Sequence, residues 1–434
     1  MTDLAAPVAA PASAPAVPLW RSRNFLLLWG GQTVGELGSR ISGVAVPLLA
    51  ATTLQAGVFQ ISLLSFLGWL PYLLISLPAG ILADRVDQRK LMVVCDLVRM
   101  ALMLSLPLAA LAWELTLGYL YVVVGICGVF TVLFNVAYKS MLPRLSGPGQ
   151  LVDANARIVM SQEFAELIGP TISGLLIGLV GTARTFFSNG LAFLVSAVTL
   201  SMLRDAPKGP LAAGTPDGGG ERLRLRAEMN EGLAFIRGRP ILLAILACTA
   251  TSNFFVIAKS SIEVTFLVRE LHASPPAVGL VFSVSAVGGL AVGAVAGRLS
   301  RWIGTARIIW VAMAVPGPLY ALMPLARPGW GLLLYGFGLA AFSANAGLYN
   351  IAAISYRQQI TPSHLLGRVN AAFMWICLGV IPIGALFGGA LGSALGLRTT
   401  LWICVLGTWS AALFVVFSPL RTMQDMPAER APTS

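Results

Sequence analysis

The chain has 434 residues, 57% of them hydrophobic and 11% charged, with a mean hydropathy of +0.81. A water-soluble globular chain carries roughly a quarter charged residues, so these figures exclude one and indicate a membrane protein. The formal net charge of +11 would suit a nucleic-acid binder, but the cations are placed by membrane topology, which excludes nucleic acid as a partner.

In chain order, residues 1–20 come first, rich in Ala and Pro and without Lys or Arg in their first 18 positions. A secretory signal needs a basic start and an unbroken apolar core, so the expectation is a disordered cytoplasmic tail. Crossing ~30 Å of hydrocarbon at 1.5 Å per residue takes about 20 apolar residues. Such runs follow at 24–50, 58–79, 91–113, 117–141, 158–181, 185–203, 241–267, 276–297, 305–325, 331–354, 369–395 and 399–420, twelve in all. The predicted fold class is an all-α integral membrane protein of twelve transmembrane helices. An even number of spans puts both termini on one side, and that side receives 22 of the 29 Lys and Arg. The other side has only Arg184, Arg269, Arg327 and Arg398. By the positive-inside rule the cation-rich side is cytoplasmic, which predicts a multi-pass protein of the cell membrane with both termini inside.

On the first span Gln32, Glu36 and Arg40 lie four apart, hence on one face. Ionisable groups within a span are costly and usually face a polar cavity. Either Glu36 carries a coupling proton that Arg40 holds off until substrate or conformation intervenes, or the two form a permanent ion pair that orients the helix. Between the second and third spans runs the charge-dense turn Gly80-Ile-Leu-Ala-Asp-Arg-Val-Asp-Gln-Arg-Lys90. Gly80 there permits close helix contact. Asp84 can latch an inward gate by bonding backbone N–H groups or a neighbouring Arg. Arg85, Arg89 and Lys90 can pair with anionic lipid or with Asp87 and Asp96; the alternative is that these charges only fix topology. In the fifth span Glu163 and Glu166 sit three apart, just ahead of the helix bend at Gly169, Pro170 and Gly174. Paired acids in a low dielectric share a proton readily, which makes them the second set of proton-coupling candidates.

Residues 204–239 divide the chain. Pro207, Pro210, Pro216 and Gly218-Gly-Gly220 make a flexible linker. From Glu221 the pattern turns amphipathic, with Leu225, Met229, Leu233 and Ile236 among Arg and Glu, as in a helix lying along the inner membrane surface. Asn135, Ser140 and Asn155-Ala156 recur 215 residues later as Asn350, Ser355 and Asn370-Ala371, and Ile168-Gly169 and Gly174 recur as Ile383-Gly384 and Gly389. The charged turn recurs as Gly293-Ala-Val-Ala-Gly-Arg298, with Gly297 in place of Asp84. The chain is therefore an internal repeat of two six-helix halves, at 21–203 and 240–420, followed by a cytoplasmic tail over 421–434. In the second half Lys259 and Glu263 are a further four-apart pair, either an outer gate and cavity wall or side chains that snorkel to the interface. Gly174-x-x-x-Gly178, Gly289-x-x-x-Gly293-x-x-x-Gly297 and the glycines from Gly384 to Gly396 suit close helix packing. The five cysteines lie scattered in spans, His272 and His364 stand alone in loops, and no nucleotide, nucleophile or zinc spacing occurs. No cofactor, no metal and no enzyme activity is expected.

Gly80-x-Leu-Ala-Asp-Arg-x-x-x-Arg-Lys90 resembles the loop between helices two and three of the major facilitator superfamily. Glu231-Gly-Leu-Ala-Phe-Ile-Arg-Gly-Arg-Pro240, and Asp153-Ala-Asn155-Ala156 with Gly169-Pro170-x-x-x-Gly174, are similar to its enterobactin-exporter-like branch. The Gly-Pro segment also resembles the fifth-helix motif of drug:proton antiporters. The resemblance implies two pseudo-symmetric six-helix bundles, a monomer, and a substrate site between them. It assigns helices one, four, seven and ten to the cavity, where they offer Gln32, Glu36, Asn135, Tyr138, Asn253, Asn345, Tyr349 and Asn350, with Lys259 and Glu263 as further candidates. A few acids among apolar walls suit a small amphipathic molecule, such as a drug, antibiotic or siderophore, exported in exchange for protons. Leu120 to Gly128 of the fourth span holds no charge, unlike many proton-coupled members. Uncoupled facilitation, lysolipid flipping and a non-transporting sensor of the same fold stay open as alternatives.

Overall fold

Inside a bilayer every backbone polar group has to be satisfied within the chain, and helices do this segment by segment. The computed structural model, which describes residues 19–112, 115–146, 150–203, 220–304 and 306–423, builds those segments from helices joined by short turns. The first half holds α1 (Arg23–Leu48), α2 (Val58–Arg85), α3 (Gln88–Ala112), α4 (Leu117–Leu145), α5 (Leu151–Val180) and α6 (Thr182–Ser201). After α7 (Gly220–Arg237), the second half holds α8 (Pro240–Arg269), α9 (Pro275–Ile303), α10 (Arg307–Ala314), α11 (Gly317–Tyr320), α12 (Leu322–Leu325), α13 (Gly331–Ile360), α14 (Ser363–Leu395), α15 (Leu397–Ser410) and α16 (Ala412–Val416). The short pieces α10 to α12 make one broken span, Arg307–Leu325, and α15 with α16 another, Leu397–Val416. Eleven spans are long and apolar enough to cross a membrane among the described residues. The twelfth is α1, whose 26 residues include Glu36 and Arg40 and which packs along α5 and α6.

The expected spans all correspond to helices, but several helices run further than their apolar cores. The turn expected over 80–90 shrinks to Val86 and Asp87, because α2 continues to Arg85 and α3 starts at Gln88. Val86 takes an extended conformation that ends α2, and the Lys90 N–H donates to Asp87 Oδ1 at 3.3 Å to start α3. Hydropathy marks only the hydrocarbon crossing, whereas Arg, Lys and Gln are good helix formers and carry the helix past it. Of the other expectations, residues 1–18, 204–219 and 424–434 lie outside the described residues.

The linker helix exists, and it is tied to the second half rather than lying free on the membrane. Glu231 pairs with Arg368 of α14, and Ile236 is fully buried in the second-half core. A Cβ on Gly232 would come within 2.8 Å of the Arg368 carbonyl carbon, so only glycine lets α7 sit this close.

The repeat reaches the backbone angles. Gly181 and Gly396, 215 positions apart, have φ of +88° and +83° and each separates the fifth from the sixth helix of its half. Left-handed φ favours glycine because a Cβ would clash there.

Buried apolar residues fall into three clusters. One follows the connections on the side opposite the termini and draws on both halves, from Val44–Leu64 and Phe186 to Ile262–Val281, Tyr335 and Leu401. The other two lie on the side of the termini and each belongs to one half: Leu28, Met92, Phe134 and Ile158 in the first, Leu242, Ile309, Tyr349 and Phe373 in the second. The halves thus share a core at one end and keep separate cores at the other, which leaves a cleft that opens on the side of the termini.

Candidate functional site

The closed end of this cleft is built from glycine. α5 crosses α9, and α2 crosses α14. A Cβ on Gly174 would lie 3.0 Å from Pro276 Cα, and one on Gly178 equally close to the Pro276 ring. Reciprocally, a Cβ on Gly279 of α9 would lie 3.0 Å from the Pro170 carbonyl carbon. Gly389 and Gly392 of α14 meet Ser62 and Val58 of α2 in the same way. The Thr171 hydroxyl donates to Ser283 Oγ at 2.6 Å, Ser62 Oγ to the Ser261 carbonyl at 3.3 Å, and Arg269 Nη2 to the Ala56 carbonyl at 2.6 Å, all from one half to the other.

Directly below this seal, α1 and α5 of the first half carry a charge cluster. Arg40 holds Glu36 at 2.9 Å and also pairs with Glu166 of α5. The sequence offered Glu36–Arg40 and Glu163–Glu166 as separate pairs; the fold joins them through Arg40. Packing makes this possible, since a Cβ on Gly169 would stand 2.6 Å from the Arg40 Cβ. The Ser173 hydroxyl donates to the Ile41 carbonyl at 2.9 Å and Trp29 Nε1 to Ser161 Oγ at 2.7 Å, fixing α1 on α5 along its length. The side chains of Glu36, Arg40 and Glu166 are 19%, 40% and 48% exposed, so the cluster is not sealed within packed protein. Glu163 is exposed one turn before Glu166.

Other predicted cavity residues divide. Asn135 is half-buried and donates to the Tyr72 hydroxyl at 2.9 Å, and Tyr72 packs against Trp69. Gln32 and Tyr138 are buried, Asn253 is half-buried and Asn350 is exposed. Asn345 and Tyr349 instead act as ties inside the second half: Asn345 Nδ2 donates to the Tyr320 hydroxyl, and the Tyr349 hydroxyl meets Thr249 Oγ1 at 2.9 Å. Both are buried at helix contacts, 5% and 4% exposed. Lys259 and Glu263 neither snorkel nor face open space. Lys259 Nζ donates to Glu263 Oε2 and the Tyr335 hydroxyl to Glu263 Oε1, both at 2.7 Å, in a fully packed interior.

In the α2–α3 segment, Gly80 faces open space within 4 Å rather than a neighbouring helix. The Asp84 side chain lies outside the described residues, and Arg85 and Lys90 are exposed. Arg89 donates to the Leu200 and Ser201 carbonyls at the end of α6, where a cation also suits the helix dipole. Asp96 does not reach these loop cations; it pairs with Arg99 of its own helix, fully buried. Sequence reasoning missed that pair, although its three-residue spacing inside an apolar run was the available signal. Tyr72 and Tyr335 had none. Among the described residues no group of three or more His, Cys, Asp or Glu is placed to hold a metal ion.

The family model described as Major Facilitator Superfamily matches residues 28–383. Relatives include the uncharacterized MFS-type transporter YfiS of Bacillus subtilis, 28% identical over 89% of this chain and 91% of its own length. The multidrug efflux pump Tap of Mycolicibacterium fortuitum is 26% identical over 94% of this chain and 98% of its own. Macrolide efflux protein A of Streptococcus pyogenes is 22% identical over 92% and 95%. Among solved structures, a bacterial homologue of the iron transporter ferroportin, in an inward-facing state, aligns with a TM-score of 0.73 at 14% identity, covering 91% of this chain and 98% of that one. A nucleoside transporter aligns at 0.72 and 12%, covering 91% and 99%. At such identities these structures speak for the fold alone.

Proposed function

Because this chain belongs to the Major Facilitator Superfamily, a family of membrane transporters and not of enzymes, we propose that it exports small amphipathic organic molecules across the cell membrane in exchange for protons. The observation that carries the reading is Arg40, held between an acid of α1 and an acid of α5 in a partly exposed cluster at the closed end of the cleft. With the cation-rich side inside, the cleft opens to the cytoplasm, where an amphipathic solute would enter it. The named efflux relatives support the direction and the substrate class.

The chemistry needs no cofactor. One guanidinium between carboxylates has fewer positive charges than negative neighbours, so a proton or a cationic substrate group can replace part of its hold. Protonating Glu166 frees Arg40 from α5 and loosens α1 on α5, while protonating Glu36 releases only the contact within α1. Proton and substrate then bias the same conformational equilibrium in opposite directions, which is the requirement for exchange. An inward proton gradient supplies about 2.3 kcal/mol per charge per 100 mV.

Inside-out vesicles test this with a pH dye, lipophilic cations and macrolides, and protein carrying Glu36→Gln or Glu166→Gln. Substrate-triggered proton release in the unaltered protein, lost in both variants, is the expected outcome. Release undiminished in both variants would remove the cluster from coupling. Uncoupled facilitation is a second reading, favoured by the uncharged stretch Leu120 to Gly128 of α4; substrate flux without any proton release would establish it.

A further inference from the structure

α3 carries a buried carboxylate that the transport reading leaves unused. Asp96 is fully buried and Arg99, one turn later, is 5% exposed. Arg99 donates to Asp96 Oδ1, while Asp96 Oδ2 is buried with no hydrogen-bond partner. Across the α3–α6 contact stands Ser196, 1% exposed, beside this carboxylate, and its hydroxyl has no partner within hydrogen-bond distance either.

In an ordinary buried ion pair each charge depends on the other, and neutralising the acid strands the base. Arg99 is arranged differently. Its guanidinium carbon lies 4.4 Å from the ring centroids of both Phe134 of α4 and Phe193 of α6. Two aromatic faces attract a cation whether or not a carboxylate is present, so Arg99 keeps compensation if Asp96 becomes neutral. Ser196 in turn can donate to an ionised Oδ2 or accept from a protonated one, since a hydroxyl does both. The surroundings therefore serve both forms of the acid, which a permanent ion pair would not require.

We propose that Asp96 is a proton-binding site, taking its proton on Oδ2 and sharing it with Ser196, with Arg99 as the standing counter-charge. The step adds one proton to a carboxylate and leaves a neutral acid, an O–H donor to Ser196 Oγ and an unchanged guanidinium. α1 walls the site: a Cβ on Gly35 would lie 3.6 Å from Ser196 Oγ, and Glu36 is the next residue. Among the described residues, Arg99 and Cys95 on α3 face Asp96 itself, Tyr72 on α2 and Cys127 on α4 face Arg99, and Glu36 on α1, with Tyr138 of α4 near it, follows Gly35. α6 contributes none at this contact, its one ionisable residue being Arg184 near its start. The site goes beyond the export reading and does not depend on it, because proton uptake is measured in the resting protein.

The test is infrared difference spectroscopy between acid and alkaline buffer on the full chain in lipid, with Asp96→Asn and Ser196→Ala. The expected result is a carboxylic-acid C=O band that moves in D2O, disappears in Asp96→Asn and shifts in frequency in Ser196→Ala. Identical carboxyl bands in the unaltered protein and Asp96→Asn would overturn the proposal and leave a permanently ionised pair. Should Asp96→Asn fail to fold, Ser196→Ala decides alone: a shifted band upholds the site, and unshifted bands overturn it. Loss of export in vesicles with this band intact would refute the export reading only.

Discussion

Gly279→Leu should push the closed end of the cleft apart. The new Cβ would stand 3.0 Å from the Pro170 carbonyl carbon and 3.1 Å from Thr171 Cα, closer still to the Pro170 oxygen. These are backbone atoms and cannot rotate away, so α9 has to back off from α5. Overpacking of this kind costs about 1–3 kcal/mol. The cost falls only on the state in which α5 and α9 touch, so the ratio of closed to open outer ends should drop by roughly 5- to 150-fold. Spin labels on Thr53→Cys and Ser274→Cys, exposed positions at that end of the two halves, would report this in a background lacking the five native cysteines. Pulsed dipolar measurements in lipid should show a longer distance gaining weight in Gly279→Leu. Gly118→Leu, whose Cβ meets nothing within 4 Å, should leave the distribution alone. An unchanged distribution in folded Gly279→Leu would refute the idea that the Gly–Pro crossing sets the seal.

Three further outcomes follow from single contacts. Arg40→Lys keeps the charge but not the planar fork that reaches two carboxylates, so coupled export should fall ~10-fold or more for the loss of one charge-assisted bond, with rates equal to the unaltered protein counting against the bridge. Glu263→Gln leaves Lys259 charged and unpaired in a packed interior, which should destabilise the chain by about 3–5 kcal/mol. Detergent melting curves would show it, and Lys259→Met with Glu263→Leu should recover most of the loss. Tyr72→Phe removes the hydroxyl that accepts from Asn135 at 2.9 Å; at about 1 kcal/mol substrate binding should weaken about 5-fold, and unchanged affinity would move Tyr72 out of the site.

The fold was legible because its main determinant, hydrocarbon crossing, is written in runs of one residue class. The paired breaks at Gly181 and Gly396 keep the 215-residue offset of the repeat. Yet the sequence reading did not single out Gly181 and put Gly396 in a packing stripe, where the structure shows a helix break with nothing within 4 Å of its Cβ position. Helix ends were less legible, since Arg85 and Gln88 extend helices beyond the part hydropathy reports. Within the site, spacing found pairs on one helix, as with Glu36 and Arg40 or Lys259 and Glu263. It could not find that Arg40 also reaches Glu166, because that contact depends on α1 lying on Gly169. Polarity alone also overstated the cavity. Asn345 and Tyr349 are polar because two helices are tied through them, and sequence does not distinguish a tie from a cavity wall.

The position of the charge cluster on α5 gives the coupling reading its mechanical content. Glu166 and Thr171 are five residues apart, about 7.5 Å of helix. Between them lie Gly169, which seats Arg40 on one face, and Pro170, whose carbonyl meets Gly279 on the other. Thr171 bonds Ser283 across the halves, and Gly174 lies against Pro275 and Pro276 one turn on. A shift of α5 on α1, once Arg40 lets go of Glu166, therefore reaches the seal through a turn and a half of a single helix, with no longer path required. Lys259 and Glu263 have no such reach. Both Glu263 oxygens are occupied and the pair is packed within one half, so rocking of the halves carries it along unchanged. If exchange works by a proton that loosens a helix contact, α5 is where a small displacement has the most to open.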